Sequence, residues 1–399
     1  MAPTKPDTSG APLETSIHTG SILADFKSSI TYTKNKLRAL RSKDSARVNK
    51  PALSHKPIFE RENLKQALER LSSNANSSGS ASAATDTVKA QFDDHKSNMF
   101  SYPSVSAKDF EIGGRLGHGK YGRVYLARHL ATNYVCALKV ISKAQCATEG
   151  EEGLIRRELE THQNLVHKNI LKFIAWFHDD RSMYLVLEFA PGGSLYSRLK
   201  KQPKFRFDER TTAQYIAQTA EALRYMHSKN IMHRDIKPEN ILLGLYDEIK
   251  LADFGYSVHT TSGSRSTICG TLDYLSPEVA LMMLKPGKSP EFYTKAIDLW
   301  SLGVLMYELL VGRPPFERKN GAATRKKIAN FKGNGLKFPG HVSLPAEELI
   351  QQMLNFDAEQ RLSLDDVLAH PWIVHHVGNP AQTGGHVAHR KSDANIEEI

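Results

Sequence analysis

Cysteine is scarce: Cys136, Cys146 and Cys269 are the only three in 399 residues. Their odd number and unpaired spacing exclude a disulfide framework and a cysteine-rich zinc site, and they suit a reducing compartment. Long apolar runs are missing too. The best candidate, residues 299–311, carries Glu308 inside it and falls short of the roughly 18 residues that cross a bilayer. The opening MAPTKPDTSG has no apolar core of the kind a signal peptide needs. An intracellular soluble chain, cytosolic or nuclear and without a membrane partner, is therefore expected. Acidic residues are outnumbered, 43 against 53 Lys and Arg, for a formal net charge of +10. Such a surplus invites acidic partners or nucleic acid. It is shared between the first hundred-odd residues and the remainder, so it reads as a solvated basic surface, and direct nucleic-acid binding is not expected.

Residues 1–109 are rich in Ser, Thr, Ala and Lys, and residues 71–90 alone hold six Ser. A segment of that composition buries too little to offset its ordering entropy, so a disordered basic extension is expected. Within it, residues 21–50 interleave eight Lys or Arg with Ile22, Leu23, Phe26, Ile30, Leu37 and Leu40, a pattern able to order on a partner. At Phe110 the texture changes. Apolar residues recur through Trp372, with alternation of the strand kind over 110–142 and 183–189 and helical spacing over 208–228, 298–310 and 346–353. Strands first and helices afterwards predict an α+β fold in two lobes with a cleft between them. A polar tail, 374–399, follows.

Three stretches carry chemistry. Leu116-Gly117-His118-Gly119-Lys120-Tyr121-Gly122-Arg123-Val124 is a glycine-rich turn between two strand-like runs. A dinucleotide fingerprint would have to open a helix instead. Here the glycines would let backbone N–H groups close over phosphates without Cβ obstruction. Fifteen residues after Val124, Lys139 sits in the apolar run Ala137-Leu138-Lys139. Far downstream, His233-Arg234-Asp235-Ile236-Lys237-Pro238-Glu239-Asn240 and then Asp253-Phe254-Gly255 bring three hard-oxygen side chains, Asp235, Asn240 and Asp253, to strand ends and turns. Each alone is an ordinary surface residue; in this order and at these intervals they are what orienting a hydroxyl and holding Mg2+ require.

Residues 110–373 thus resemble a eukaryotic protein kinase, whose signature set runs in order through 117–278. The resemblance implies a bilobal kinase fold: a small β-rich N-lobe over about 110–190, a larger helical C-lobe over about 191–373, and Mg-ATP in the crevice. It implies that Lys139 holds the α- and β-phosphates and pairs with Glu158; the competing Glu160 faces about 200° away on a helix. Asp235 would accept the substrate hydroxyl's proton, Lys237 would steady the transferred group, and Asn240 and Asp253 would carry Mg2+. Leu187 would be the gatekeeper, backbone groups of Glu188 and Ala190 would meet adenine, and Leu116, Val124, Ala137 and Leu242 would wall it. Lys237, two residues after Asp235, points to Ser/Thr rather than Tyr kinases.

The stretch Arg265-Ser266-Thr267-Ile268-Cys269-Gly270-Thr271-Leu272-Asp273-Tyr274, with Gly119-Lys120-Tyr121-Gly122 and Val311-Gly312-Arg313-Pro314-Pro315-Phe316-Glu317, closely resembles the Aurora kinases. Phosphorylated Thr267 would add about −1.5 to −2 charge opposite Arg234, Arg157 and Arg265. Glu239 would take a substrate guanidinium two residues before the acceptor, and Arg265 stands two before Thr267, which implies autophosphorylation in trans. The resemblance further implies a single, fungal-type Aurora that acts in mitosis at chromosomes, kinetochores and the spindle. Its protein substrates would include histone and kinetochore proteins, and its activator would be of the inner centromere protein type. The sequence departs from the family at Tyr256, where Trp is usual, at His162, where Gln is frequent, at Ser276 ahead of Pro277-Glu278, and in a longer 279–297 stretch. A pseudokinase scaffold is the rival of a different class; Lys139, Glu158, Asp235, Asn240 and Asp253, all present, argue against it.

Overall fold

The computed structural model describes residues 105–119, 122–144, 149–260, 263–267, 269–287, 292–333 and 335–378. The extension before residue 105, the tail beyond 378, and Lys120, Tyr121 and Cys146 lie outside the described residues. Two compact units are built, one from residues 105–156 with 174–187, the other from 157–173 with 188–378.

The first unit is a five-stranded sheet in the order β1-β2-β3-β5-β4: β1 Phe110–Gly119, β2 Gly122–His129, β3 Val135–Ser142, β4 Phe173–His178 and β5 Ser182–Glu188. β1, β2 and β3 pair antiparallel in sequence. The alternation of β3 decides its faces, because successive side chains point to opposite sides of a strand. Cys136 and Leu138, both fully buried, enter a core with Phe110, Ala127, Phe177 and Val186. Ala137 and Lys139 therefore occupy the other face, where their cross-strand partners are Leu126 and Val124. Gly122 sits where a Cβ would lie 2.1 Å from the Val140 carbonyl oxygen, so the close approach of β2 to β3 requires glycine.

Helix α1, Glu149–His162, follows β3 in the chain. The second unit is helical with small sheets. Its centre is α5, Ala296–Val311, with thirteen of its residues buried. The run that is too short for a membrane is thus a core helix, apolar on all sides as burial on all sides demands. It stops at Gly312, whose φ of +94° leads into Pro314-Pro315, residues that cannot continue a helix. Around it lie α3 (Glu209–Ser228), α4 (Pro277–Leu284), α6 (Gly321–Ala329), α7 (Leu344–Met353), α8 (Leu364–Ala369) and α9 (Pro371–Val377), with α2 (Leu195–Leu199) preceding α3. Asp208 caps α3 by accepting the Thr211 N–H at 2.8 Å, one of the donors a helix start leaves unmet. Short strands frame the loops that matter for function: β6 (Gly193–Ser194), β8 (Ile241–Leu243) and β9 (Ile249–Leu251) form one sheet, β7 (Ile231–Met232) pairs with β10 (Val258–His259), and β11 (Ser264–Arg265) pairs with β12 (Tyr293–Thr294). Among the described residues no helix is long and apolar enough to cross a membrane.

Candidate active site

The loop between β7 and β8 is built on one buried carboxylate. Asp298, at the start of α5 and fully buried, accepts the backbone N–H of His233 at 2.9 Å and of Arg234 at 2.8 Å, and bonds His227 Nε2 at 2.8 Å. Burial works to raise its pKa; the His227 bond and charge, His233 and the Arg234 N–H outweigh it and hold Asp298 below the usual carboxylate range. The loop is pulled taut enough that Arg234 takes a φ of +71°, a conformation non-glycine residues adopt only under external restraint. His233 is fully buried, and burial, the largest effect on it, pushes its pKa down.

Asp235, 3% exposed, is gripped from three sides. Lys237 Nζ donates to its Oδ2 at 2.7 Å, Asn240 Nδ2 to the same oxygen at 2.8 Å, and Thr271 Oγ1 to its Oδ1 at 2.7 Å. Lys237 Nζ also reaches Thr271 Oγ1 at 2.7 Å, closing the triangle. Burial again pushes upward, but the Lys237 bond and charge, with the Thr271 hydroxyl, keep Asp235 below its ordinary value, hence ionised near neutrality. Asn240 Nδ2 donates to the Asp235 carbonyl as well. Both its donor bonds are thus spent inward, which turns its amide oxygen away from Asp235.

Asp253 follows β9 with a φ of +64°, and its Oδ1 accepts the Gly255 N–H at 3.3 Å. A Cβ on Gly255 would meet Asp253 Oδ1 at 3.3 Å and Glu158 Oε2 at 3.6 Å. Glu158, 3% exposed, is therefore aimed from α1 at the Asp253 turn, whereas Glu160 is half-buried and bonds Asn164 through its carbonyl. The Phe254 ring is clasped between two imidazoles, His162 at 4.4 Å and His233 at 5.4 Å between centroids. His162 is 3% exposed, and its Nε2 meets the Leu171 carbonyl at 2.6 Å. It is a satisfied interior imidazole.

The remaining sequence-marked residues fall as follows. Gly117, His118 and Arg123 lie on the β1–β2 hairpin, with Gly119 paired to Gly122 at its tip; Leu116 is exposed there. Leu187 is 7% exposed at the end of β5. Glu188 takes Lys250 Nζ at 2.7 Å, and its N–H goes to the Lys172 carbonyl. Ala190 precedes β6 and its carbonyl accepts the Gly193 N–H at 3.3 Å, and Leu242 lies on β8 opposite Ser194 of β6. Glu239 is exposed in the turn Pro238–Asn240. Thr267 is exposed; its carbonyl accepts the Tyr293 hydroxyl, which in turn accepts from Arg234 Nη1 at 2.7 Å. Arg234 Nε also binds the Tyr256 carbonyl at 2.6 Å. Arg265 bonds the His259 carbonyl, and Arg157 is exposed on α1, so neither is joined to Thr267 among the described residues. Thr271, Asp298 and Tyr293 are site residues that sequence reasoning missed. For Asp298 there was a signal, a carboxylate in the first turn of a helix whose other acidic residue, Glu308, lies near its far end.

Asp253 and the outward amide oxygen of Asn240 supply hard oxygen donors, and among the described residues no three His, Cys, Asp or Glu side chains gather as a metal cage. That donor set fits Mg2+, which protein sites hold through one or two carboxylates plus substrate phosphates. A β-sheet lobe, a helical lobe and a buried-aspartate catalytic loop ahead of an Asp-Phe-Gly turn define a protein kinase, and the protein kinase domain family matches residues 110–373. The chain is 48% identical over 280 residues to Aurora kinase C of Mus musculus, covering 69% of this chain and 97% of that one. It is 50% identical over 266 residues to an Aurora kinase of Schizosaccharomyces pombe, 66% and 71% of the two chains. To Aurora kinase B of Danio rerio it is 48% identical over 269 residues, 67% and 80%. The chain belongs to the Aurora family of serine/threonine protein kinases.

Proposed function

We propose that the chain transfers the γ-phosphoryl group of ATP to Ser or Thr hydroxyls of proteins bearing basic residues upstream, with the roles divided as follows. Lys139, on the sheet face it shares with Val124 and Ala137, binds the α- and β-phosphates and pairs with Glu158. The glycine turn 117–122 covers the phosphates with backbone N–H groups; Leu116, Val124, Ala137 and Leu242 hold the adenine, beside Leu187 and the backbone of Glu188 and Ala190. Asn240 and Asp253 carry Mg2+, which when bound neutralises charge on the β- and γ-phosphates.

Asp235 orients the acceptor hydroxyl and takes its proton at Oδ1 or Oδ2. A carboxylate held below its ordinary pKa is a weak base, so its contribution is alignment first and proton acceptance only once the hydroxyl has become acidic by bonding to phosphorus. Lys237, already 2.7 Å from Asp235, places positive charge beside the transferred group. Glu239, whose charge acts with those of Glu308 and Asp273 on Tyr274, provides the acidic surroundings an upstream substrate guanidinium would neutralise. Phosphorylated Thr267 faces Arg234, and Arg265 makes that site its own substrate.

In the cell the family membership supports a mitotic role: phosphorylation of histone and kinetochore proteins, chromosome segregation and cytokinesis, at chromosomes and the spindle, under an activator of the inner centromere protein type. The observation that carries the reading is the closed triangle of Asp235, Lys237 and Thr271. Transfer of radiolabelled phosphate from ATP to a histone tail tests it. The Asp235→Asn variant should bind ATP and transfer nothing, and substantial turnover by that variant would refute the assignment.

A further inference from the structure

The basic surplus is far more local than a tally over whole domains suggests. Residues 313–337 hold eight Lys or Arg against Glu317 alone. Among the described residues the Lys and Arg ion pairs of the second unit lie elsewhere, at Lys168–Glu221, Arg198–Asp247, Arg224–Asp365, Lys237–Asp235, Lys250 with Glu188 and Glu248, and Arg361–Glu278. Helix α6 and the chain on either side of it fold this run around a concave pocket of about 510 Å³. Arg318, Lys326 and Lys332 are exposed on its rim, and Phe316 and Phe331, both buried, form part of its lining. Lys327 lies deeper. Its Nζ donates to the Pro315 carbonyl at 2.5 Å and sits 5.5 Å over the Phe316 ring. Burial lowers its pKa most, and the Arg318 and Arg313 charges lower it further. No carboxylate lines the pocket among the described residues.

Cations crowded into a concavity without counter-charge repel one another, and a multiply charged anion relieves that repulsion at several contacts at once. The size of the pocket is that of a side-chain or small-ligand site rather than a long groove, and its aromatic lining suits residues flanking a charged group. Nucleic acid and membrane surfaces are met by extended basic faces instead. We propose that this pocket is a docking site for a phosphorylated segment of a protein partner, with the phosphate received by Arg318, Lys326 and Lys332 and its neighbours laid against Leu336 and the edge of Phe331. A phosphate brings about −1.5 to −2 charge and three acceptor oxygens, more than one carboxylate offers. The other end of α6 abuts the reaction: a Cβ on Gly321 would lie 3.0 Å from Leu272 Cδ2, the residue after Thr271. Resting on the kinase reading for this consequence alone, a partner phosphorylated once would be retained for a second transfer.

The test uses the full chain without ATP and a fluorescent degenerate decapeptide pool with one fixed phosphoserine, read by anisotropy. Pools with Ser or Asp at that position and a DNA duplex are run in parallel. The phosphoserine pool should bind at least about tenfold more tightly than either peptide pool. The double change Lys326→Glu with Lys332→Glu should abolish that preference, and the milder Lys326→Gln with Lys332→Gln should weaken it. Both variants should phosphorylate a short unmodified peptide at the parental rate, and Asp235→Asn should bind the pool normally, so failure of docking and failure of catalysis are read separately. Equal affinity for the Ser and phosphoserine pools, a preference untouched by the variants, or duplex DNA bound more tightly with the same loss in the variants would each overturn the proposal.

Discussion

At the scale of single residues, the Thr271 hydroxyl is the least obvious part of the catalytic arrangement. It donates to Asp235 and accepts from Lys237, so it fixes the separation of the two charges proposed to act on the reacting oxygen. Thr271→Ala should lower kcat by up to about 10²-fold with the KM for ATP little changed, and Thr271→Ser should restore it; steady-state kinetics on one peptide decide. Ser276 is the opposite case. It is 2% exposed with its Oγ unpartnered, beside a cavity of about 10 Å³ that Asp235 and Arg234 also line. Removing a buried hydroxyl that bonds no protein group is near neutral or favourable, so Ser276→Ala should raise the unfolding free energy by about 0–2 kcal/mol in denaturant titrations. The strand and turns that carry Lys139, Asp235, Asn240 and Asp253 were legible in the sequence, because strand ends and turns set the spacing of those residues. Thr271 was not, since its role arises only when a distant loop folds back onto Asp235.

At the scale of elements, the site is only as firm as the helix beneath it. Asp298 at the start of α5 receives two loop N–H groups and His227. Replacing it with Ala strands those donors in a buried place and should cost about 2–5 kcal/mol, seen as a shifted midpoint with an unchanged slope in urea. The chain that runs on from Thr267 is tied down at Glu278 in the same manner. Arg361, 7% exposed, grips Glu278 with two bonds of 2.8 and 2.7 Å and lies 5.2 Å over Trp300. Arg361→Ala leaves the Glu278 charge without its partner and should destabilise by about 3–5 kcal/mol. The helices were legible: the spacing over 208–228, 298–310 and 346–353 corresponds to Glu209–Ser228, Ala296–Val311 and Leu344–Met353, because apolar periodicity encodes the buried face. The two-residue strands flanking the catalytic loop, Ile231–Met232 and Val258–His259, were not, since two residues carry no period. The basic pocket was written in the sequence all along, as eight cations in 313–337, and a tally by domain averaged it away.

At the scale of the whole molecule, stability should fall on acidification. His233, His167 and His370 all have pKa values that burial depresses below the usual 6.5. An imidazole buried neutral binds fewer protons folded than unfolded, so its stabilising share is intact above about pH 6.5 and is lost as pH falls below that value. Asp235 and Asp298, also depressed, extend the loss at lower pH. Asp273 and Glu308, raised first by burial, oppose it. The melting temperature should therefore be lower at pH 5.5 than at pH 7.5, by roughly 2–4 °C for each kcal/mol lost; a rise would mean that the carboxylates dominate. The proposed reaction places the larger demand on the molecule, because the roles assigned to Lys139 and to Asp235, Asn240 and Asp253 fall to different units. A crystal structure with Mg2+ and a non-hydrolysable ATP analogue measures that directly. Lys139 Nζ should contact the α- and β-phosphates while Asp253 and Asn240 ligate the metal on the same nucleotide. A nucleotide bound by one unit alone, with those side chains out of reach of its phosphates, would contradict the account.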